Sequence, residues 1–313
     1  MSFTGFLVVC AVFAVLYAYL VQARRPYRGA VSRPEMPEAT GVAIFLCHRL
    51  AEDRSRRDME DDWAPARADL VARHWADIGA RGYAQVTRLH RWNVVFLLLR
   101  ISRSWPVAAI GSILHGLPVP SRARDGGEDW DMIEVLDFAD AESARCFLEG
   151  GSARSLAEDA TPWTGLSQAI PMVTTRAYLA SHFAPEASVT LFCLRGRAEI
   201  RREGMIGYWL DRHRPFVQGL QPVLNYAWYD QHIARGAEAL EDAADAYLPG
   251  HARWDGVASI GYDHLRDMVY GLWDVRVQAA NLRLVYDETR FLDLPRSALM
   301  VGTVTRVLGR FGI

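Results

Sequence analysis

The feature that most constrains this chain is a passage written twice. "WDMIEVLDFADAESA" runs from Trp130 to Ala144, and "WDGVASIGYDHLRDM" from Trp254 to Met268, 254 − 130 = 124 residues later. Each opens on Trp-Asp, alternates through a short apolar run to an aromatic residue (Phe138, Tyr262), then turns polar with helical spacing. Period-two alternation marks a strand that buries one face. Two such passages in 313 residues predict two copies of one folding unit.

The remaining elements fall into the same order on both sides. In the first copy, "GVAIFLCHR" (41–49) reads as a strand covered on both faces, and "AEDRSRRDMEDD" as a solvated loop. "ADLVARHWADIGARGY" is a helix stopped by glycine, and "YAQVTRLH" (83–90) alternates like a strand. "DWDMIEVLDF" (129–138) places Trp130, Met132, Glu134, Leu136 and Phe138 on one face, with Ile133 and Val135 on the other. A helical stretch with a glycine interruption and the strand "PMVTTRAYLA" (171–180) close this copy. After "SHFAPEA" the order repeats: strand 188–196, helix 202–220, strands 224–232 and 254–262, helix 264–286, strand 297–308. Each copy is βαββαβ, the ferredoxin-like arrangement, whose sheet carries helices on one face only. The bare face must be buried, and the second copy can do so. The expected fold is α+β: two ferredoxin-like halves, 41–181 and 188–313, forming an intrachain pseudo-dimer.

Two segments stand outside this plan. "MSFTGFLVVCAVFAVLYAYLVQARR" has no charged side chain before Arg24, which predicts a transmembrane anchor over 1–23. Arg24, Arg25, Arg28 and Arg33 follow it, so the positive-inside rule places the globular part in the cytoplasm. A cleaved signal peptide is the alternative; the missing basic n-region and Ala-x-Ala site speak against it. Pro-rich 24–40 reads as a linker. The first half also carries an apolar insertion, 93–120. It either dips into the lipid interface with Trp92 and Trp105 at headgroup depth, or caps the barrel as extra core.

Composition removes several function classes. A net charge of −2 gives no basic face for nucleic acid. All 35 cationic residues are arginine, so lysine Schiff-base chemistry is excluded. The four cysteines (Cys10, Cys47, Cys146, Cys193) show no CxxC spacing and read as reduced thiols. No GxGxxG, GxSxG or P-loop spacing occurs, and no histidine pair has metal-ligand spacing.

The second half resembles the EthD-type family of the dimeric α/β-barrel superfamily. The resemblance rests on "RREGMIGYWLDRHRPFVQGLQPVLNY", with Tyr-Trp followed by His213-x-Pro215 and Tyr226, and on "YDETRFLDLPRS", with Asp287, Glu288, Phe291 and Asp293. In the first half, His74 and Tyr83 match more weakly: no proline follows His74, and no Asp-Glu-x-x-Phe element precedes "PMVTT". The resemblance implies a barrel enzyme without a cofactor, of oxidoreductase or lyase type, acting on a small hydrophobic or aromatic molecule. Related barrels hold haem through a histidine, which gives a haem-binding alternative. A membrane-associated accessory or ligand-binding protein is the third reading.

The expected catalytic residues are His213 and Glu134. Tyr208, Trp209, His213 and Phe216/Val217 share a helix face by i, i+4 spacing, and an imidazole there suits acid–base work or a buried hydrogen bond at the helix end. Glu134 interrupts an apolar strand face where the other copy has Ala258. Burial would raise its pKa, unless an arginine pairs with it. On "LNYAWYDQH", Asn225, Ala227, Tyr229 and Gln231 fall on one face; Tyr226, Trp228, Asp230 and His232 fall on the other. The substrate-binding set is therefore Tyr208, Trp209, Asn225, Tyr226, Trp228, Tyr229 and His232, with the pocket-lining face left open.

Overall fold

The computed structural model describes residues 39–89, 130–178, 183–234, 237–247, 254–271 and 275–309. The anchor expected at 1–23, nearly all of the linker and the insertion 93–120 lie outside these residues. Among the described residues, no helix is long and apolar enough to cross a membrane.

Eight strands form a closed antiparallel barrel in the order β1-β3-β2-β8-β5-β7-β6-β4. They are β1 (Ala39–Leu50), β2 (Gly82–Arg88), β3 (Met132–Phe138), β4 (Thr164–Tyr178), β5 (Ser188–Leu194), β6 (Trp228–Ile233), β7 (Gly256–Tyr262) and β8 (Ala298–Gly309). Read from β4, the first half runs 4-1-3-2. Read from β8, the second runs 4-1-3-2 as well. The halves therefore have one topology, and they join edge to edge at β2–β8 and β4–β6. Closure leaves neither sheet with a free edge. The bare faces do not stack as two separate layers; they curl inward. Phe45, Cys47, Ile133 and Val135 meet Val189, Leu191, Val257 and Met300 in a common core.

The duplicated Trp-Asp has a structural reason. The Asp131 carboxylate accepts the Leu50 backbone N–H at 3.0 Å, and the Asp255 carboxylate accepts that of Gly196 at 2.7 Å. Their own backbone N–H groups donate to His48 and Leu194 carbonyls. In each half the aspartate thus ties the end of the first strand to the start of the third. The tryptophan before it fills the barrel end, with Trp130 1 % and Trp254 4 % exposed. Trp130 leaves the Met132–Glu134 face assigned by alternation because it precedes the strand proper.

Helices cover the outside. In the first half these are α1 (Ala64–Arg73), α2 (Ala141–Glu149) and α3 (Gly151–Ala160); in the second, α4 (Arg202–Tyr208), α5 (Arg214–Leu224), α6 (Glu238–Tyr247), α7 (Leu265–Gly271) and α8 (Val275–Glu288). The charged stretch 51–62 is only partly a loop. Ser55 caps a helical turn by accepting the Asp58 N–H, and a π turn over Met59–Trp63 leads into α1. A second π turn, Trp209–His213, joins α4 to α5. β6 begins at Trp228, later than expected, because Asn225 ends α5 in the left-handed conformation at φ 54°. β4 starts earlier, at Thr164, and the helix expected at 264–286 is two helices. Helix α6 has no counterpart in the sequence reading. It crosses to the first half, where Leu240 and Ala244 pack against Phe147 and Leu156.

Candidate active site in the helix layer of the second half

Both halves build the same local scaffold between sheet and helices. The π turns end on Trp63 and His213, and each is followed by X-Pro (Ala64-Pro65, Arg214-Pro215) at the start of the next helix. Beneath, β2 presents Tyr83 and Gln85 and β6 presents Tyr229 and Gln231, the same Tyr-x-Gln. Gln85 Nε2 donates to the Ala64 carbonyl at 3.0 Å. Gln231 Oε1 accepts from Arg214 Nε at 2.7 Å. A carboxylate from the second helix then meets each π-turn ring. Trp63 Nε1 donates to Asp159 Oδ2 at 3.1 Å, and His213 Nδ1 lies 2.8 Å from Asp287 Oδ2. The first-half counterpart of His213 is therefore Trp63. His74 is instead the C-terminal cap of α1, 3.9 Å from Asp77.

The two copies differ in what fills the scaffold. In the first half, Glu134 is fully buried and saturated. Arg67 Nε and Nη2 reach its Oε2 at 3.0 and 2.9 Å, His48 Nε2 lies 3.0 Å away, and Tyr83 donates to Oε1 at 2.6 Å. Arg67 also donates to the Leu156 carbonyl. Burial would raise the Glu134 carboxyl, but Arg67 and His48 override it and hold it well below the usual range. Burial lowers His48, with Glu134 opposing. A carboxylate in this state is an internal counter-ion with no proton to give and little capacity to take one. Of the two states expected for Glu134, a raised carboxyl and a pairing with arginine, the structure shows the pairing.

In the second half the corresponding strand position is Ala258. The His213–Asp287 dyad lies at the seam of the π turn with α8. His213 is 5 % exposed. Asp287 takes a second hydrogen bond from the Tyr208 hydroxyl at 2.6 Å. Burial would raise the Asp287 carboxyl, but bonds from His213 and Tyr208 hold it below its ordinary value. An ionised Asp287 accepts from Nδ1–H and so directs the imidazole lone pair to Nε2. Nε2 makes no hydrogen bond among the described residues. Phe291 packs against both rings, at 5.0 Å from Tyr208 and 5.2 Å from His213. A positioned histidine base with an apolar wall is competent for proton transfer.

The other expected site residues divide among three environments. Trp209 and Tyr229 lie under the second-half helices beside the dyad. The Tyr229 hydroxyl accepts from Gln231 at 2.8 Å. Tyr226 joins this side rather than the face of Trp228, donating its hydroxyl to the Val217 carbonyl at 3.2 Å. Trp228 and His232 point into the barrel core. There Phe45 stands edge-on to His232 at 4.9 Å, and burial pushes the imidazole down to about 3. Asn225 is an exposed helix cap. The nine expected residues therefore do not line one pocket. Asp287 was named in the sequence only through the family resemblance; its partnership with His213, 74 residues away, comes from the fold.

No protein-family model matches the chain, the EthD-type family included, and no curated protein matches it. Among solved structures, an anthrone oxidase-like protein is similar at 8 % identity and a TM-score of 0.49, covering 87 % of this chain and 94 % of its own. Chlorite dismutase from Candidatus Nitrospira defluvii is similar at 13 % and 0.42, covering 86 % and 92 %. A haem-binding protein from Thermus thermophilus is similar at 10 % and 0.40, covering 88 % and 95 %. Likeness of this degree assigns no activity to the chain.

Proposed function

We propose that the chain is a barrel enzyme that works without a cofactor and uses His213 as a general base on a small, largely apolar carbonyl or phenolic compound. The observation that carries this reading is the 2.8 Å contact between His213 Nδ1 and Asp287, with Nε2 left unengaged beside Phe291. Asp287 fixes the tautomer, and Tyr208 fixes Asp287. The same orienting logic operates in catalytic triads, where a carboxylate holds the histidine that acts as base. The anchor read at 1–23 would hold such a site on the cytoplasmic side of a membrane, next to substrates that partition into lipid.

Haem fits the described residues poorly. His48 has both ring nitrogens engaged, by Glu134 at 3.0 Å and Ser167 at 2.9 Å. His232 is enclosed in the barrel core, and the His213 ring is packed by Phe291.

The test is proton abstraction itself. The full-length chain is incubated in heavy water with 2-tetralone, an enolisable aromatic ketone, and deuterium incorporation is followed by NMR. The wild-type chain is expected to accelerate exchange, and His213→Gln to slow it by about 10²-fold or more. Equal rates for the two proteins would remove His213 from the chemistry.

A further inference from the structure

We infer that Glu288 is the proton donor that works opposite His213, so that the second half holds an acid and a base rather than a base alone. This rests on the proposed role of His213.

The geometry comes from the internal repeat. Asp159 and Asp287 are structural counterparts, because each receives the ring that ends a π turn. The residue after each is then also a counterpart pair, Ala160 and Glu288. Ala160 is 1 % exposed and packs against Trp63, Met59 and Met132, directly under the first π turn. At the same place in the second half Glu288 ends α8, half-buried, one turn after the buried Leu284 and one residue past the Asp287 that holds His213. Glu288 makes no side-chain hydrogen bond among the described residues, whereas Asp287 beside it is fully engaged. Its titratable neighbours are His213 from the π turn, Asp287 from its own helix and Tyr229 from β6.

The two adjacent carboxyls are pushed in opposite directions. Burial raises Glu288, and His213 only partly offsets it; Asp287 lies below its ordinary value. Carboxyl groups separated in this way are suited to different roles, one ionised and orienting, the other able to carry a proton. The first half lacks both working groups at once. Trp63 stands for His213 and Ala160 for Glu288, while the orienting aspartate is kept.

The step balances without an oxidant. His213 Nε2 takes the proton from the carbon next to the substrate carbonyl. That C–H electron pair becomes the C=C of an enol, and the Glu288 acid gives its proton to the carbonyl oxygen. Imidazolium and carboxylate remain, and proton return from one to the other through water resets the site. The substrate class is an enolisable ketone, and the net reaction is a proton shift.

The experiment titrates Glu288 directly, by NMR of side-chain carboxyl carbons in the full-length chain, in wild type, His213→Gln and Asp287→Asn. The wild-type group is expected to titrate above the ordinary glutamate range. His213→Gln should move it higher and Asp287→Asn lower. A Glu288 that titrates in the ordinary range and ignores His213→Gln overturns the inference. Glu288→Gln in the 2-tetralone assay, with folding checked by circular dichroism, separates the two levels. A drop of about 10²-fold supports the acid role. Loss of exchange with His213→Gln but not with Glu288→Gln refutes the acid and leaves the base standing. Exchange untouched by both removes the proposed function as well.

Discussion

Trp63 stands in the first half where His213 stands in the second. Each is the last residue of a π turn, each precedes an X-Pro step, and each turns its ring nitrogen to a helix-borne aspartate. An indole N–H can satisfy that carboxylate but has no lone pair to take a proton from a substrate. On the proposed function, one duplicated scaffold has become a structural half and a reactive half.

The structural half should show its role in stability. Glu134→Gln leaves the buried Arg67 with only the half-exposed Asp159, 3.4 Å from its Nη1, as counter-charge, an expected loss of about 3 kcal/mol in chemical denaturation. The same substitution should leave the ketone exchange of the folded fraction unchanged, because Glu134 belongs to the other half's helix layer.

Acid should weaken the fold in two stages. His48 is held below its ordinary value of 6.5, so the unfolded chain gains a proton first as pH falls below 6.5, and stability declines. His232, at about 3, adds to the same limb. Glu134, depressed from 4.5, contributes stability that is present above pH 4.5 and lost as pH falls further. Denaturation midpoints measured between pH 8 and 3 should fall along both limbs. Glu134→Gln should abolish the Glu134 share of the lower one.

The Trp-Asp ties make a paired prediction. Asp131→Asn weakens one charge-assisted bond to a backbone N–H and should cost about 1–3 kcal/mol. Asp255→Asn should cost more, because Asp255 also pairs with Arg202 at 2.9 Å. Equal losses in urea titrations would contradict this difference.

Glycine at 261 is set by the barrel core. A Cβ there would collide with the Trp228 indole, and one at Gly256 with the Trp209 ring on the helix side. Gly261→Ala should destabilise by about 1–3 kcal/mol or more through overpacking, read as a lowered thermal midpoint.

Strand alternation and the repeated Trp-Asp make the two halves legible in the sequence, since both are local patterns. The π turns were not legible, because a helix period of 3.6 passes over one inserted residue without a mark. His74 is therefore the wrong first-half match to His213, since the feature the halves share is X-Pro alone, at Ala64-Pro65. Helix α6 carries Leu240, Ala244 and Tyr247 at helical spacing, so it could have been read; that it crosses to the other half could not. The two bare sheets imply only that the halves cover each other, and the barrel follows from the resemblance; the divided fates of Trp228 and Tyr229 depend on which strand face turns inward.

The most direct measurement compares deuterium incorporation into 2-tetralone by the wild-type chain, His213→Gln and Glu134→Gln under one set of conditions. The predicted result is exchange lost in His213→Gln and kept, per folded molecule, in Glu134→Gln. Exchange that survives His213→Gln, or that vanishes only with Glu134→Gln, would place the chemistry in the wrong half and contradict the account.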